Sequence, residues 1–444
     1  MIKEGLFVVA AVCVCFLQTA LGNQLECIGG DFDIASDGLF VDKVQPMYSK
    51  FWEVAYHGTY KILTNKASDL TYLLYQCGSD PPEEHLDGRH AAVLSIPIQS
   101  VAIASTPLIS YMELLGLRRT IKGYVGNPSF ISSPCLLELI ELGQVSVADS
   151  AAALTGVDND LVGLVYGWPT AGLAPNVVVE EYAERSFIGT VEWIKVYGAL
   201  FNREQLANEI FDQVTCRIQE IVDNVANATA NLQQRKPRIL WAYYSFYCGG
   251  WDVAECPNYY CDFANLCKAE ILHSSEGSVG FEICGAPYMS TEEFVLFGKD
   301  ADHWIYPGDS WEDVYAANEA VLSTFQSVKS ESVYDNQLGG GANAWFERRY
   351  AEYDVLLHDF CLVAGTIASD SNQRFWLRNV FQEEVGMPGS CEDVDAPLES
   401  RGNQWSGCGN TDSSTIMTAE NETISEESFT AGAKIDSDEY GQGG

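Results

Sequence analysis

Residues 203–225, REQLANEIFDQVTCRIQEIVDNV, decide the fold. Apolar residues recur there at intervals of three and four, which is the spacing of a helix with one apolar face. They are Leu206, Ile210, Val214, Ile218, Ile221, Val222 and Val225. Asn202 is the expected N-cap, and Glu204 places a negative charge where the helix dipole favours it. The pattern ends before Pro237, so we predict a helix of about thirty residues, roughly 45 Å long. That length favours a spine between two lobes over a core helix of one small lobe.

Strand and helix patterns alternate on both sides of this helix. Before it, predicted strands cover 100–104, 121–125, 161–166 and 177–179, and predicted helices cover 107–117 and 136–142. After it, predicted strands cover 238–243 and 303–306, and predicted helices cover 259–271, 291–297, 310–325, 343–352 and 375–384. Such alternation is typical of parallel sheets. We therefore predict an α/β protein with two Rossmann-like lobes, one long spine helix and a ligand cleft between the lobes.

The expected domain boundaries follow from these patterns. Residues 1–22 are predicted to be a signal peptide, because Lys3 precedes a short apolar run and small residues follow at Ala20 and Gly22. Residues 23–95 form an irregular segment and a β-hairpin, 96–190 the first lobe, 191–235 the spine and 236–408 the second lobe. Residues 409–444 are predicted to be a disordered acidic tail.

The charge and the cysteines restrict the setting in which the protein works. Sixty-two acidic and 25 basic residues give a net charge of −37, which disfavours nucleic acid and anionic membranes and favours a monomer. Twelve of the 14 cysteines follow the predicted signal, so we expect disulfides of undetermined connectivity rather than a zinc site. Asn227 and Asn421 match the N-glycosylation pattern. Together these features predict the secretory pathway and an extracellular, cell-surface or periplasm-like location.

Several short strings resemble one family of two-lobed proteins. They are 101–116 (VAIASTPLISYMELLG), 192–195 (EWIK), 197–200 (YGAL), 300–305 (DADHWI), 333–336 (VYDN), 343–347 (NAWFE) and 354–359 (DVLLHD). In order and spacing they resemble the class III periplasmic substrate-binding proteins, over about residues 50–390. Within that family the chain looks most like cobalamin- and ferric-siderophore-binding members, and its cysteine-rich secreted form resembles the cobalamin acquisition proteins of algae such as diatoms. Tyr353, where bacterial relatives usually have proline, and Ala364-Gly365, where they often have His-Pro, depart from the family pattern.

This resemblance implies a binding protein that captures cobalamin as its ligand for uptake, with a membrane transporter or receptor as partner and no catalytic cofactor. Ligands of open α/β sheets bind beyond the carboxyl ends of the strands. The expected ligand-binding residues, which follow strands or open nearby helices, are Thr106, Tyr124, Trp168, Arg185, Phe187, Tyr243, Tyr244, Phe246, Trp251, Asn336 and Trp345. Most of these side chains are aromatic, and Arg185 is the only cation among them. Such a composition favours a corrinoid over the more anionic ferric siderophores and haem.

Other classes of function receive less support from the sequence. A ferric-siderophore or haem binder is the alternative that remains open. The six histidines are widely spaced along the chain, which argues against a metal-ion binder; His303 and His358 are expected to be buried in strands. No G-x-S-x-G, P-loop or H-E-x-x-H motif occurs, which argues against an enzyme. A role limited to protein interaction through the acidic tail is a third possibility.

Overall fold

A computed structural model describes residues 25–29, 38–167, 172, 175–230, 235–274, 281–283, 286–367 and 373–409. The predicted signal peptide, Trp168, Asn421 and nearly all of the acidic tail lie outside the described residues. No helix of the described part combines the length and the apolar character needed to cross a lipid bilayer.

A four-stranded sheet precedes the first lobe. Its strands are β1 (Trp52–Tyr56), β2 (Tyr60–Asn65), β3 (Leu70–Gln76) and β4 (Ala92–Ile96), in the order β1-β2-β3-β4. The predicted hairpin is confirmed as β2 and β3, which pair antiparallel; β3 pairs parallel with β4. Asn65 Nδ2 donates to the carbonyl of Val178 (3.0 Å), and the Val178 N–H donates to Tyr72 Oη (2.9 Å). These bonds attach the small sheet to the edge of the first lobe.

The first lobe contains a parallel sheet. Its strands are β5 (Val101–Ile103), β6 (Ile121–Val125), β7 (Ser146–Ala148), β8 (Val162–Tyr166) and β9 (Asn176–Val179), in the order β7-β6-β5-β8-β9. Helices α1 (Pro107–Leu114) and α2 (Pro134–Glu141) pack beside it. All four predicted strands are confirmed. The strand order reverses between β5 and β8, which is where ligands bind in sheets of this kind.

The spine consists of three consecutive helices: α3 (Phe187–Glu192), α4 (Ile194–Phe201) and α5 (Glu204–Thr229). The predicted apolar stripe is confirmed in part of α5, where Val214, Ile218, Ile221 and Val225 are buried, whereas the predicted Leu206, Ile210 and Val222 are half-buried. The prediction that Asn202 caps this helix is wrong. Asn202 instead ends α4 with φ of 54°, and its side chain accepts from Lys61 Nζ (2.7 Å) and donates to Gln76 (2.8 Å). These tertiary contacts hold the chain in a turn between α4 and α5.

The second lobe contains a mixed sheet. Its strands are β10 (Arg238–Ser245), β11 (Gly250–Val253), β12 (Glu270–Leu272), β15 (His303–Tyr306), β16 (Val333–Asp335) and β17 (Arg378–Asn379); β13 (Phe281–Ile283) and β14 (Ala286–Tyr288) form a separate pair. The helices are α6 (Tyr259–Leu266), α7 (Thr291–Gly298), α8 (Trp311–Leu322), α9 (Gln326–Lys329), α10 (Ala342–Arg348) and α11 (Tyr353–Val363). Strands β12 and β15 pair parallel with β10, and β16 pairs parallel with β15. Strand β11 pairs antiparallel with β10, and β17 pairs antiparallel with β16.

Two helix predictions in this lobe need correction. Residues 375–384 are not helical, because the buried Asp359 carboxylate accepts backbone N–H groups of Phe375, Trp376 and Leu377 at 2.6–3.1 Å and leads the chain into β17. The helix predicted over 259–271 ends at Leu266, since the chain turns at Lys268 (φ 53°) into β12. His358 lies in α11 and not in a strand.

Five disulfides join described cysteines, which confirms the expectation of an oxidised chain. They are Cys27–Cys77, Cys135–Cys391, Cys216–Cys408, Cys256–Cys261 and Cys267–Cys361. Cys248 is also disulfide-bonded.

A segment that we call the C-terminal strap, residues 388–408, returns from the second lobe to the first. Arg118 donates to the carbonyl of Ala396 (3.0 Å), and the N–H of Leu398 donates to the carbonyl of Glu113 (2.9 Å). The disulfides of Cys391 and Cys408 attach the strap to α2 and α5. The two lobes are therefore joined by the spine and by this strap.

Candidate functional site

Seven tyrosines gather where the two lobes meet, and we call them the interlobe tyrosine cluster. The first lobe and α4 contribute Tyr111, Tyr166, Tyr182 and Tyr197; the second lobe contributes Tyr259, Tyr350 and Tyr353. Within the cluster, Tyr111 stacks on Tyr197 with ring centroids 5.0 Å apart, and Tyr259 lies 5.0 Å from Tyr353. Tyr182 and Tyr350 are close enough to interact electrostatically across the two lobes.

The first-lobe side of the cluster carries a buried carboxyl group. Tyr166 ends β8 and donates its hydroxyl to Glu181, which follows β9. Burial raises the pKa of Glu181 to about 7, although the hydrogen bond from Tyr166 opposes that shift. Glu181 Oε2 and Tyr197 Oη are buried without a hydrogen-bond partner among the described residues. Unpaired buried polar atoms are rare and often mark a functional site.

Arg349 places a positive charge on the second-lobe side. Its guanidinium lies 4.4 Å from the ring centroids of both Trp345 and Tyr350 and 5.1 Å from that of Phe346. Nη2 donates to Tyr350 Oη at 3.1 Å, and Nε has no hydrogen-bond partner among the described residues. Burial lowers the pKa of this arginine, but the neighbouring hydroxyls of Tyr350, Tyr353 and Tyr259 raise it on balance.

Helix α10 closes the base of the interface against the first lobe. Ser110 Oγ on α1 donates to the carbonyl of Glu347 (2.7 Å), and the N–H of Ser132 donates to Glu347 Oε2 (2.8 Å). Burial raises the pKa of Glu347 to about 8, and the Ser132 N–H opposes this. These contacts hold α10, and hence Arg349 just beyond it, at a fixed position relative to β5 and β6.

The structure brings three of the predicted site residues to this interface, all of them as buried side chains. Phe187 packs edge-on against Tyr353 (6.2 Å), Trp345 contacts Arg349, and Tyr124 interacts with Glu347. They support the cluster from beneath rather than facing solvent, because each is at most 3% exposed.

The other predicted site residues lie elsewhere. Trp251, expected in a turn beside the cleft, is instead a fully buried core residue of β11, stacked on Phe294 with centroids 4.0 Å apart. Tyr243 and Tyr244 are half-buried on β10, and Phe246 is exposed at the tip of the hairpin formed by β10 and β11. Thr106, just before α1, is half-buried, and Arg185 is exposed. Asn336, just after β16, is buried. Asn227, which matches the N-glycosylation pattern, is exposed on α5.

Sequence reasoning did not identify the residues that stand out in the structure. It named Arg185 as the only cation of the site and did not consider Arg349, which follows a predicted helix. The sequence signal that could have indicated Arg349 is the group of aromatic residues around it, namely Trp345, Phe346, Tyr350 and Tyr353. Glu181 lies 15 residues from Tyr166 in sequence, and only the fold shows that the two are in contact.

Two open depressions lie beside other parts of the second lobe. One, of about 590 Å³, is lined by residues that include Gly339, Arg374 and Arg401. The other, of about 740 Å³, lies near the start of β10 and includes Arg235 and His303. Neither is lined by a tyrosine of the cluster or by Arg349. The chemical arrangement at the interface, rather than cavity size, therefore identifies the candidate site.

Comparisons with known proteins give distant similarities. No protein-family model matches the chain. An uncharacterized lipoprotein of Methanocaldococcus jannaschii is 26% identical over 158 residues, which cover 35% of this chain and 34% of that protein. The chain therefore matches only about a third of the length of this curated relative.

Among solved structures, a possible iron-binding periplasmic solute-binding protein of Staphylococcus epidermidis superposes with a TM-score of 0.43 at 15% identity, over 60% of this chain and 98% of that one. A periplasmic heme-binding protein of Pseudomonas aeruginosa gives 0.43 at 14% identity, over 61% and 94%. A siderophore-binding protein bound to acinetobactin and ferric iron gives 0.42 at 17% identity, over 60% and 92%. The assignment of a two-lobed α/β fold rests on the strand orders and helices of the chain itself.

Proposed function

We propose that this protein is a solute-binding protein that captures an anionic iron chelate, a ferric siderophore or haem, between its two lobes. Arg349 carries this proposal. A guanidinium surrounded by three aromatic rings, whose Nε has no hydrogen-bond partner among the described residues, can offer its N–H donors to a ligand carboxylate, catecholate or propionate.

The surrounding tyrosines suit the remainder of such a ligand. Tyr182 and Phe346 are exposed, and Tyr166 and Tyr350 are half-buried, so flat apolar faces with hydroxyl groups border the interface. Aromatic side chains of this kind bury a broad planar ligand and still satisfy its polar edge. We expect the protein to work outside the cytoplasm and to pass its ligand to a membrane transporter or receptor.

Cobalamin is the second candidate, and the same tyrosine faces support it. A corrinoid has a broad ring, peripheral amides and one phosphodiester, which is a single anionic group for Arg349. The preference for cobalamin over anionic chelates depends on Arg185 being the only cation near the site. The presence of Arg349 weakens that argument, so we place the iron chelates first.

Calorimetric titration of the untagged protein would test the proposal, with a ferric catecholate, a ferric hydroxamate, haem and cyanocobalamin as parallel ligands. We expect one of the anionic iron ligands to bind at one equivalent. Arg349→Gln should weaken that binding by about 10- to 150-fold, because a hydrogen bond to a charged group contributes about 1.5–3 kcal/mol. Arg185→Gln is the matched control, since it removes an exposed cation at the predicted site.

Three results would change the proposal. Binding of cyanocobalamin alone would establish the second candidate. Equal affinities of Arg349→Gln and wild-type protein would remove the interlobe cluster as the site. A larger effect of Arg185→Gln would restore the site expected from the sequence. The thermal midpoint of each variant must match that of the wild type for these comparisons to count.

A further inference from the structure

Three of the six histidines come together beside the four-stranded sheet, far from the interlobe cluster in sequence. They are His57, His85 and His90. The histidines are widely spaced in the sequence, but the loop between β3 and β4 folds back along β3. The N–H of Ala91 donates to the carbonyl of Thr71 (2.8 Å), which places His90 beside that strand. His85 lies in a short 3-10 turn, Glu83–His85, of the same loop.

Two of these imidazoles face each other. His85 Nδ1 lies 3.2 Å from His90 Nε2, and the ring centroids are 5.3 Å apart. The outer nitrogens contact hydroxyl groups, since His85 Nε2 is 3.3 Å from Tyr60 Oη and His90 Nδ1 is 3.0 Å from Thr71 Oγ1. Both rings are half-buried, and both are held in orientation by neighbours on β2 and β3.

We propose that His85 Nδ1 and His90 Nε2 together bind a divalent transition-metal ion of the Zn²⁺ or Cu²⁺ class. Two bonds of about 2.0–2.1 Å that meet near the tetrahedral angle separate their nitrogens by about 3.1–3.4 Å. The 3.2 Å separation lies within this range. Among the described residues, no group of three or more His, Cys, Asp or Glu side chains is arranged to hold a metal, so water completes the coordination sphere.

The hydroxyl contacts make both inner nitrogens available at once. In the metal-free pair one inner nitrogen carries a proton and donates it to the other. When the metal binds, that ring adopts the other neutral tautomer, so each outer N–H donates to Tyr60 Oη or Thr71 Oγ1 and both inner lone pairs face the ion. The number of protons on the pair does not change. Hydrogen bonds to the outer nitrogen are the usual way in which proteins orient metal-binding histidines.

The surrounding charges favour a cation. The loop carries exposed Glu83, Glu84 and Asp87 against one cation, Arg89, and the whole chain has a net charge of −37.

Titration of the untagged protein with Zn²⁺, in competition with a chromophoric chelator, would test this site. His85→Gln and His90→Gln should each weaken Zn²⁺ binding at least tenfold. His273→Gln is the matched control and should leave it unchanged, because that ring lies outside the group of three histidines. Mg²⁺ should compete poorly, since it prefers oxygen ligands.

A second readout does not depend on the variants. Electron paramagnetic resonance of the wild-type protein with one equivalent of Cu²⁺ should show coupling to two imidazole nitrogens. Equal Zn²⁺ affinity in wild type, His85→Gln and His90→Gln would show that the ion binds only to the acidic surface and would overturn the proposal. A Cu²⁺ spectrum with one or no nitrogen ligand would do the same. Neither result tests the interlobe site, so the histidine metal site and the proposed ligand site can be refuted independently of each other.

Discussion

Lys61→Met is expected to lower the free energy of unfolding by about 3–5 kcal/mol, because it leaves a buried carboxylate without its counter-charge. The side chains of Lys61 and Glu204 are both 0% exposed. Lys61 Nζ donates to Glu204, to the carbonyl of Ala199 (2.8 Å) and to Asn202 Oδ1 (2.7 Å). One ammonium therefore satisfies three acceptors at the turn between α4 and α5, and methionine fills a similar volume but satisfies none of them.

Denaturation by guanidinium chloride with the disulfides intact would measure this cost, from the midpoint and slope for each variant. Glu204→Gln should also destabilise the protein. The double variant Lys61→Met/Glu204→Gln should cost clearly less than the sum of the single changes, because no unpaired charge remains buried. Lys66→Met is the matched control. Lys66 pairs with Glu53 at 2.7 Å, but the two side chains are 44% and 54% exposed, so its loss should cost at most about 1 kcal/mol.

The reasoning would be refuted by a cost below about 1 kcal/mol for Lys61→Met, similar to that of an exposed pair. Simple additivity in the double variant would refute it in another way, because it would mean that the two charges do not depend on each other. If the substitution changes how steeply the unfolding free energy depends on denaturant concentration, it changes the extent of unfolding. The midpoints of the variants could then not be compared directly.

Three further predictions concern the interface, the second-lobe core and the strap. Affinity for an anionic chelate should fall as pH rises through about 7, because Glu181 then loses its proton and repels the ligand; Glu181→Gln should remove this dependence, and a pH-independent wild type would contradict it. Trp251→Ala should cost about 3–5 kcal/mol in denaturant unfolding but leave ligand affinity unchanged in the folded protein, whereas the reverse pattern would return Trp251 to the site. Replacing Cys135 and Cys391 by serine should widen the range of lobe positions, seen as a larger radius of gyration in X-ray scattering of the ligand-free protein; an unchanged radius would show that the remaining contacts suffice.

Much of the fold could be predicted from local patterns. The strand at 121–125 and the apolar stripe of α5 are confirmed, because the spacing of apolar residues reports directly which face of an element is buried. The helix predicted over 291–297 is confirmed as α7, which opens with a capping box of Ser290 and Glu293, two residues within one turn of each other in sequence.

The errors occurred where distant residues determine the backbone. Asn202 looks like an N-cap locally, but Lys61 and Gln76, more than 120 residues away, hold it in a left-handed turn. The segment 375–384 has a helical pattern, yet Asp359 occupies its first N–H groups. Neither constraint can be read from a local window.

The candidate site was harder to predict for a related reason. A single-sequence reading can place residues at the ends of strands, but it cannot tell which aromatic side chain faces its own core. Trp251 and Arg349 show the difference. The tryptophan adjoins a glycine and looked like an exposed anchor but stacks within the second lobe, whereas the arginine follows a helix and lies at the interface.

The strap changes what the spine can be expected to do. If α5 alone joined the lobes, its stiffness would set the hinge. Here Cys135–Cys391 and Cys216–Cys408 attach the strap to the first lobe and to α5, and α10 is hydrogen-bonded to α1 through Ser110. Such ties oppose a wide rigid-body opening, so for the proposed ligand we expect entry to depend mainly on side chains at the rim. Tyr182 and Phe346 are exposed there, and Phe346 lies 5.1 Å from the Arg349 guanidinium, so we expect its rotation to uncover that group without breaking either disulfide.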